Sequence, residues 1–395
     1  GALDRPGGFL GQRCRLWRLQ RVRTRQEGLT RVLMPRAPPC SLAGGGVQFH
    51  GQDEAAPFVR LHGADADDLA AKAALARKAL QSPNPATWLA LRGRGIFRGS
   101  GSPGKVAFLY TGQGSQYANM LADLRGSEPA VAAVFDEADR IMAPLLEGRK
   151  LSDIIFVDRD DPDAVARAEE ELRHTEITQP AVLATDIALT ALLDAYGIRP
   201  DLVMGHSLGE YGALVAAGAL SFEAALEAVS ARGREMVNVQ PEDPGAMAAV
   251  GGPTPEEVAE LLDSIDGYAV IANVNSTSQV VIGGATEAVG QAVTILQERG
   301  HTAIPLPVSH AFHTSIVAGA SAPLRATLQR LGLRPPRLPI VANVDGEFYP
   351  SDGDVTEQML DILARQVASP VQFVKGLHTL YDAGDSVRNF LRPRA

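Results

Sequence analysis

Residues 201–210 read DLVMGHSLGE, and this stretch decides the fold. The short apolar run DLVMG (201–205) predicts a buried strand, and the residues from 208 to 237 predict helices. Between them lies G-H-S-L-G, which has the G-x-S-x-G spacing of a nucleophile elbow, a sharp turn from a strand into a helix. This pattern predicts that Ser207 points into a cleft. It also predicts that the backbone N–H of Leu208, at the helix N-terminus, is available to an oxyanion.

The sequence upstream of the elbow repeats the alternation of strand and helix. KVAFLYT (105–111) is an apolar run typical of a buried parallel strand, and it leads directly into the glycine-rich turn GQGSQ (112–116). Helices are predicted at 128–147, capped by Ser127, and at 179–196. This alternation is typical of an α/β fold with a parallel sheet.

Residues 245–307 interrupt the alternation with a different order of elements. Their apolar runs and helical patterns predict a βαββαβ arrangement, which is that of a small ferredoxin-like subdomain. The chain then returns with LPIVANV (338–344) and a closing helical segment. We therefore expect a larger, α/β-hydrolase-like subdomain made of residues 103–244 and 308–385, with the small subdomain inserted and a cleft between them.

The first hundred residues differ in composition from the rest of the chain. Residues 1–43 carry nine arginines against Asp4 and Glu27, with no clear hydrophobic period, and are interpreted as a linker or an artificial tail. Residues 44–102 are interpreted as a linker or adaptor preceding the main domain. Within them PFVRLHG (57–63) predicts a strand, DADDLAAKAALARKAL (65–80) predicts a helix, and FRGSGSPGK (97–105) predicts a flexible boundary.

Composition excludes several classes of function. The chain has 395 residues with 45% hydrophobic content, enough for a substantial core, and no apolar run approaches the roughly 20 residues of a membrane span. We therefore expect a cytoplasmic location and no membrane partner. Only Cys14 and Cys40 are available for a disulfide or a cysteine zinc site, so no metal is expected. The net charge of −9 argues against a nucleic-acid partner.

A serine nucleophile needs a base, and the candidate is His313 in SHAFH (309–313). This histidine follows the strand that ends the small subdomain, which places it at the cleft. His206, beside the nucleophile, is predicted to be a packing residue that hydrogen-bonds the turn. His310 is predicted either to support the catalytic residues from behind or to form part of the acyl pocket.

Eight blocks of the sequence resemble a known family. Their order is the one seen in malonyl-CoA:acyl-carrier-protein transacylases and polyketide synthase acyltransferase domains, over about residues 105–380. The blocks are GQGSQ (112–116), TQPAV (178–182), GHSLGE (205–210), ARG (231–233), GAMAAV (245–250), NVNSTSQVVIGG (273–284), SHAFH (309–313) and RQVASPVQF (365–373).

Three segments resemble a subgroup of that family. TGQGSQ (111–116), TEITQPAVLATDIAL (175–189) and the acidic stretch before the latter are similar to acyltransferases of type I iterative synthases, of the enediyne or polyunsaturated fatty acid type. The end of the chain departs from the family. Residues 381–395 read YDAGDSVRNFLRPRA where a segment like EVGPG is usual, and this departure bears on the last strand.

The resemblance implies a catalytic role for five positions. Ser207 is implied to be the nucleophile that carries the acyl group, and His313 its general base. The backbone carbonyl of Gln366 is implied to orient His313, so no aspartate is needed to complete a triad. Gln113 is implied to contribute to the oxyanion site together with the N–H of Leu208.

The resemblance also implies how the acyl group is chosen. Arg232 matches the arginine that binds the free carboxylate of a malonyl group, and a guanidinium offers paired donors suited to that role. The HAFH block is typical of enzymes that take unbranched malonyl, with His310 and Phe312 in the acyl pocket and Phe312 crowding the α-carbon. Leu208 after the serine is likewise typical of the malonyl type.

The predicted function is transfer of malonyl from malonyl-CoA to the phosphopantetheine thiol of an acyl carrier protein, by a ping-pong reaction. No metal or redox cofactor is predicted, and the expected neighbours include a ketosynthase domain. Two alternatives remain. A serine esterase or thioesterase would need an acid between Ser207 and His313, where Asp263 and Asp266 lie in the small subdomain. A docking module for carrier proteins would keep the fold without the chemistry.

Overall fold

The computed structural model describes residues 45–49, 58–63, 65–81, 84–99, 104–383 and 389–391. The tail predicted over residues 1–43 lies outside them. The chain divides into two compact units between Pro103 and Gly104.

The first unit is a three-stranded antiparallel sheet with two helices. Its elements are β1 (Gly45–Phe49), β2 (Phe58–Gly63), α1 (Ala66–Leu80), α2 (Pro85–Arg92) and β3 (Ile96–Gly99), with strand order β1-β2-β3. Leu61, Trp88 and Ile96 are buried in a small core of their own. The segment interpreted as a linker or adaptor therefore contains a folded unit, and the first three residues of the predicted flexible boundary belong to β3.

The second unit begins with alternating strands and helices. In chain order these are β4 (Val106–Tyr110), α3 (Ala122–Ser127), α4 (Pro129–Met142), α5 (Leu151–Ile155), α6 (Pro162–Glu171), α7 (Thr175–Ala195), β5 (Leu202–Gly205), α8 (Gly209–Ala216) and α9 (Phe222–Asn238). The cap predicted at Ser127 is wrong. Ser127 ends α3, where its hydroxyl donates to the carbonyl of Asp123 at 2.9 Å, and α4 begins instead after Glu128 at a proline.

The inserted segment forms a separate antiparallel sheet. Its elements are β6 (Ala246–Gly251), α10 (Pro255–Asp263), β7 (Ala269–Ser276), β8 (Gln279–Gly284), α11 (Thr286–Glu298) and β9 (Thr302–Pro305). The strand order is β7-β8-β6-β9, and Val250, Leu261 and Ile282 lie in a core distinct from the larger one. The predicted βαββαβ order of elements is confirmed.

The chain returns to the first sheet through four more elements. They are α12 (Ser321–Arg330), the two-residue strand β10 (Ile340–Val341), α13 (Val355–Gln366) and α14 (Phe373–Asp382), followed by β11 (Asn389–Leu391). All strand pairings in this sheet are parallel, in the order β10-β5-β4-β11. The predicted α/β class with a parallel sheet is confirmed, and the sheet extends beyond residue 385 because β11 pairs with β4.

The central strand β4 explains why both faces of this sheet are covered. Side chains alternate across a strand, and Ala107 and Leu109 face a cluster that includes Leu380 of α14. Phe108 and Tyr110 face the larger core, to which α4, α7, α8 and α9 contribute. An uninterrupted apolar run is what a strand buried on both faces requires.

Candidate active site

Three loops meet at the carboxyl edge of the parallel sheet. Tyr110, the last residue of β4, pairs with Gly205, the last residue of β5, so the glycine-rich turn and the elbow leave the sheet side by side. β10 pairs with β5 on its other side, and Asn343 follows it. Ligand sites of open α/β sheets form at this edge, because the carboxyl ends of parallel strands coincide there.

The elbow is sterically dependent on its glycines. A Cβ on Gly205 would lie 1.9 Å from the carbonyl carbon of Gly209, and a Cβ on Gly209 would lie 2.3 Å from the carbonyl oxygen of Tyr110. Ser207 between them has a φ of 53°, a left-handed conformation that costs a serine about 1–3 kcal/mol. The G-x-S-x-G spacing therefore reflects how closely strand, turn and helix approach one another.

Two amide side chains hold the backbone of the elbow. The Oδ1 of Asn343 accepts a hydrogen bond from the N–H of Ser207, and its Nδ2 donates to the carbonyl of Gly205 at 2.7 Å. The Nε2 of Gln366 donates to the carbonyl of Ser207 at 2.8 Å. Both amides are buried, so these bonds fix the strained conformation in which the nucleophile is presented.

Ser207 and His313 form a hydrogen-bonded dyad. The Oγ of Ser207 lies 2.6 Å from Nε2 of His313, and Nδ1 of His313 lies 3.1 Å from the carbonyl oxygens of both Gln366 and Ser369. Carbonyl oxygens only accept, so Nδ1 carries the proton and Nε2 accepts the serine hydroxyl proton. The carbonyl of Gln366 is where the resemblance implied it, and the carbonyl of Ser369 adds a second acceptor.

Burial keeps the base neutral. Desolvation, together with the nearby charge of Arg232, lowers the pKa of His313 from 6.5 to about 3. A neutral imidazole at neutral pH is the form that accepts a proton from the nucleophile.

Arg232, on α9, lies next to the nucleophile and is 1% exposed. Its Nη2 is 3.4 Å from Oγ of Ser207 and 3.2 Å from Oε1 of Gln366. Among the described residues no carboxylate forms an ion pair with it, and its Nε–H has no hydrogen-bond partner. A buried guanidinium with an unsatisfied donor, beside the reacting oxygen, is suited to a substrate carboxylate.

The two residues implied for the oxyanion lie in neighbouring turns: Leu208 is in the elbow, and Gln113 is in the glycine-rich turn that packs against it. Leu208 is buried and immediately precedes α8, so its N–H belongs to the helix N-terminus. Gln113 is exposed in the glycine-rich turn, where its Nε2 donates to Oγ1 of Thr175 at 3.4 Å. The turn packs tightly on the elbow, since a Cβ on Gly112 would lie 2.4 Å from the carbonyl oxygen of His206.

The remaining predicted residues, His310, Phe312 and His206, have packing and hydrogen-bond partners of their own. His310 is 9% exposed, and its Nε2 donates to the carbonyl of Val239 at 3.0 Å, while its ring lies 6.3 Å from that of Phe312. His206 packs against Phe373, with ring centroids 5.2 Å apart, and its Nε2 is 2.7 Å from Oδ1 of Asn275. The alternative acid Asp263 ends α10, and the imidazole Nδ1 of the base faces carbonyls instead of a carboxylate.

Sequence reasoning missed the buried polar groups beneath the dyad. Glu210 is fully buried and contacts Tyr349, Gln366 and Asn343. Burial raises the pKa of Glu210 to about 7, against the opposing effect of those hydrogen bonds and of the Arg232 charge. The available signal was the acid within GHSLGE, three residues after the nucleophile and therefore one turn further along the helix.

In the described part of the chain, no cluster of three or more histidine, cysteine or carboxylate side chains is arranged to hold a metal ion. The described helices include none with the length and apolarity that crossing a bilayer requires.

Known proteins resemble this chain in sequence and in fold. The acyl transferase domain family matches residues 107–388. Malonyl CoA-acyl carrier protein transacylase of Bacillus subtilis is 38% identical over 284 residues, 71% of this chain and 84% of that protein. The spectinabilin polyketide synthase system protein NorB of Streptomyces orinoci is 36% identical over 300 residues, 75% of this chain and 13% of that protein.

A solved structure adds the fold. It is a malonyl-transacylase in complex with its holo type II polyketide synthase acyl-carrier protein, 33% identical, with a TM-score of 0.63 over 71% of this chain and 86% of that one. The chain therefore belongs to the acyl transferase domain family and is an enzyme of the malonyl CoA-acyl carrier protein transacylase group.

Proposed function

We propose that this protein transfers a malonyl group from coenzyme A to the phosphopantetheine thiol of an acyl carrier protein through an acyl-enzyme on Ser207. The observation that carries the proposal is that two groups, an imidazole and a guanidinium, lie next to one hydroxyl oxygen. The Oγ of Ser207 is 2.6 Å from the base His313 and 3.4 Å from the guanidinium of Arg232. A nucleophile, its base and a binding group for an acyl carboxylate are thus within one small volume.

The first half-reaction forms the acyl-enzyme. Ser207 Oγ attacks the thioester carbonyl as its proton passes to Nε2 of His313, and the oxyanion is stabilised by the N–H groups of Leu208 and Gln113. The carbon–sulfur bond then breaks, and the departing coenzyme A thiolate takes the proton from His313. The free carboxylate of the malonyl group pairs with Arg232 throughout.

The second half-reaction reverses these steps with a different thiol. The phosphopantetheine thiol gives its proton to His313 and attacks the acyl ester, and Ser207 Oγ regains a proton as it leaves. Every proton is returned, so the cycle needs no metal or redox cofactor, and coenzyme A takes part only as the carrier of the substrate.

Relatives support the choice of substrate and partner. The Bacillus subtilis relative is named for malonyl-CoA and an acyl carrier protein, and the similar solved structure contains an acyl-carrier protein bound to its malonyl-transacylase. We infer the same pair of substrates here. The HAFH block, with His310 and Phe312 in the acyl pocket, supports unbranched malonyl, although one methyl group changes binding in such a pocket by only about 1–3 kcal/mol.

The biological setting we propose is polyketide synthesis, next to a ketosynthase domain of a type I iterative synthase of the enediyne or polyunsaturated fatty acid type. It is supported by the 36% identity to a polyketide synthase system protein and by the segments TGQGSQ and TEITQPAVLATDIAL. We also infer an α/β-hydrolase-like large subdomain and a ferredoxin-like small one. The all-parallel sheet and the antiparallel βαββαβ sheet support these assignments.

Two alternatives have less support. An esterase or thioesterase would gain nothing from a buried arginine beside the nucleophile, and the base is oriented by carbonyls instead of an acid. A docking module without chemistry would not need the strained backbone at Ser207, since such strain persists only where surrounding structure maintains it.

The test is intact-protein mass spectrometry after brief incubation with malonyl-, methylmalonyl- and acetyl-CoA. We expect a malonyl adduct on the wild type and none on Ser207→Ala. In Arg232→Ala the preference for malonyl over acetyl should fall about ten- to a hundredfold, because a charged hydrogen-bonded contact is lost. The exposed Arg234→Ala, two residues away, is the matched control and should keep the wild-type preference.

An adduct on Ser207→Ala would contradict the assignment of the nucleophile. A folded wild type that takes no acyl group from any of the three thioesters would contradict the proposed function and favour the docking module.

A further inference from the structure

We propose that Glu210 is a positioning residue that holds Arg232 in place through the side chain of Gln366, and thereby sets the preference for an acyl group with a free carboxylate. This inference rests on the proposed function and names a determinant of its specificity.

Glu210 is surrounded by hydrogen-bond donors. Its Oε1 accepts from the hydroxyl of Tyr349, and its Oε2 accepts from Nε2 of Gln366 at 2.9 Å and from the N–H of Asn343 at 3.2 Å. The residue is fully buried. A carboxylate with several donors directed at it is a fixed acceptor, around which those donors are oriented.

The amide of Gln366 has only one orientation that satisfies its neighbours. Its Nε2 donates to the carbonyl of Ser207 at 2.8 Å and to Glu210, and its Oε1 accepts from Nη2 of Arg232 at 3.2 Å. Rotation by 180° would turn the amide oxygen toward two acceptors and its NH₂ group toward a guanidinium, which only donates. Glu210 and the carbonyl of Ser207 together therefore decide which end of the amide faces Arg232.

Arg232 depends on this amide for its position. The contact with Oε1 of Gln366 is shorter than the 3.4 Å contact with Oγ of Ser207, and the Nε–H has no partner. The ring of Tyr211 lies 6.0 Å away and gives no directional bond. Without an acceptor at Oε1, the guanidinium would lose the shorter of its two hydrogen bonds and keep only the longer contact with Ser207.

The proton-transfer steps do not use Glu210. It hydrogen-bonds neither the Oγ of Ser207 nor the ring of His313, both of which already have their partners. Its place one helical turn after the nucleophile puts it beneath the elbow, where it hydrogen-bonds Gln366, which in turn bonds Arg232, and also attracts the charge of the guanidinium. Its effect should therefore appear in substrate preference.

The experiment measures the rate constants for acylation of Ser207 by malonyl-CoA and by acetyl-CoA, by rapid quenching and mass spectrometry. The variants are Glu210→Met, which removes the acceptor, Glu210→Gln, which keeps one acceptor oxygen, and Gln366→Met, which keeps the backbone carbonyl that orients His313. The malonyl-to-acetyl ratio should fall about tenfold or more in Glu210→Met and Gln366→Met, equivalent to about 1.4 kcal/mol. The malonyl-to-acetyl ratio of Glu210→Gln should lie between the ratio of the wild type and the lower ratios of the two methionine variants.

A double-mutant cycle tests whether the two residues act together. If Glu210 acts through Gln366, the double variant Glu210→Met/Gln366→Met should have the same ratio as Gln366→Met alone. Should Glu210→Met fail to fold, the lowered ratio in Glu210→Gln carries the test. A wild-type ratio in that variant, or independent effects in the cycle, would overturn the inference.

A structural control separates positioning from general destabilisation. Asp139 is a buried acid on α4 that accepts from the N–H and hydroxyl of Ser152 at 2.7 and 2.6 Å, and it lies outside the site. Asp139→Asn should lower the melting temperature and leave the ratio unchanged. A wild type that accepts no malonyl would refute the proposed function itself. If the wild type prefers malonyl and the Glu210 variants keep the same malonyl-to-acetyl ratio, only the role of Glu210 would be refuted.

Discussion

Ser207 and His313 share an unusual backbone conformation, with φ values of 53° and 61°. Neither is a glycine, so both lie in a region that is costly for their residue type. The N–H of His313 donates to the carbonyl of Val367 at 3.0 Å, and the N–H of Ser207 donates to Asn343. Each reacting residue is thus held by a bond to a distant segment, which keeps the 2.6 Å contact between their side chains.

The pH dependence of acylation should reflect the buried environment of His313. Because burial and Arg232 lower its pKa to about 3, the base stays neutral well below the usual histidine value of about 6.5. The rate of malonyl transfer to Ser207 should therefore show no decline near pH 6.5 and should fall only at more acidic pH. Quenched-flow acylation between pH 4.5 and 8, with circular dichroism to confirm folding, measures this.

The pH dependence of acylation in the variant Arg232→Met can be compared with that of the wild type. Removing the positive charge removes one of the causes of the lowered pKa, so the acidic decline should move toward higher pH. A decline centred near pH 6.5 in the wild type would contradict the prediction that the histidine is buried and neutral.

At the scale of the element, the elbow depends on the distance between β4, β5 and α8. Gly209 begins α8, and a Cβ there would meet backbone oxygens of both Tyr110 and Thr111, at 2.3 and 2.5 Å. Backbone atoms of a sheet cannot yield as the end of a flexible side chain does. The helix would have to move away from the sheet and carry Ser207 with it.

Gly209→Ala should therefore lower the free energy of unfolding by about 1–3 kcal/mol or more, and should reduce acylation by more than the loss of folded protein explains. Gly290→Ala is the matched control, because Gly290 lies in helix α11 with nothing within 4 Å of an added Cβ. It should raise stability by about 0.5–1 kcal/mol, as alanine favours a helix over glycine. Urea unfolding and acylation rates measure both, and equal effects of the two substitutions would contradict the steric argument.

At the scale of the whole molecule, the core contains a further buried acid in addition to Glu210 and Asp139. Asp186, on α7, is 1% exposed, and its Oδ1 accepts from Oγ1 of Thr111 at 3.0 Å. Its Oδ2 has no hydrogen-bond partner among the described residues. Desolvation raises the pKa of Asp186 from 3.8 to about 8, so the folded protein keeps this proton at neutral pH.

The stability of the molecule should consequently depend on pH through Asp186. Between about pH 4 and 8 the unfolded chain has lost this proton and the folded protein has not, so stability falls as pH rises, by at most about 1.4 kcal/mol per pH unit. The asparagine side chain of the variant Asp186→Asn cannot titrate. The difference in the free energy of unfolding between this variant and the wild type should therefore grow in favour of the variant as pH rises from about 4 to 8. Urea unfolding followed by far-ultraviolet circular dichroism at several pH values measures the difference.

The half-buried Asp243 provides a control of opposite sign. Hydrogen bonds from Thr286 and Gly245 lower the pKa of Asp243, so its contribution is present above the unfolded value of 3.8 and is lost only as pH falls. The difference between Asp243→Asn and the wild type should stay constant from pH 5 to 8. A constant difference for Asp186→Asn as well would contradict the assignment of a buried, protonated acid.

Much of the fold follows from local patterns. The apolar runs of β4 and β5, the G-x-S-x-G spacing and the βαββαβ order were predictable because strand and helix periodicity and tight turns act over a few residues. Ends of elements were less predictable. The start of α4 was misplaced by the assumption of a serine cap, and β11 follows a segment unlike the family, where pairing with β4 is a tertiary contact.

The site divides in the same way. The sequence by itself predicted Ser207 as nucleophile, His313 as base and Arg232 as the group that binds a carboxylate, because each lies in a short motif that resembles the family. Only the tertiary structure decided how Asn343, Gln366 and Glu210 surround them. Those hydrogen bonds join residues 133 to 159 positions apart, so they arise only where three parallel strands end at one edge of the sheet and the chain closes over it.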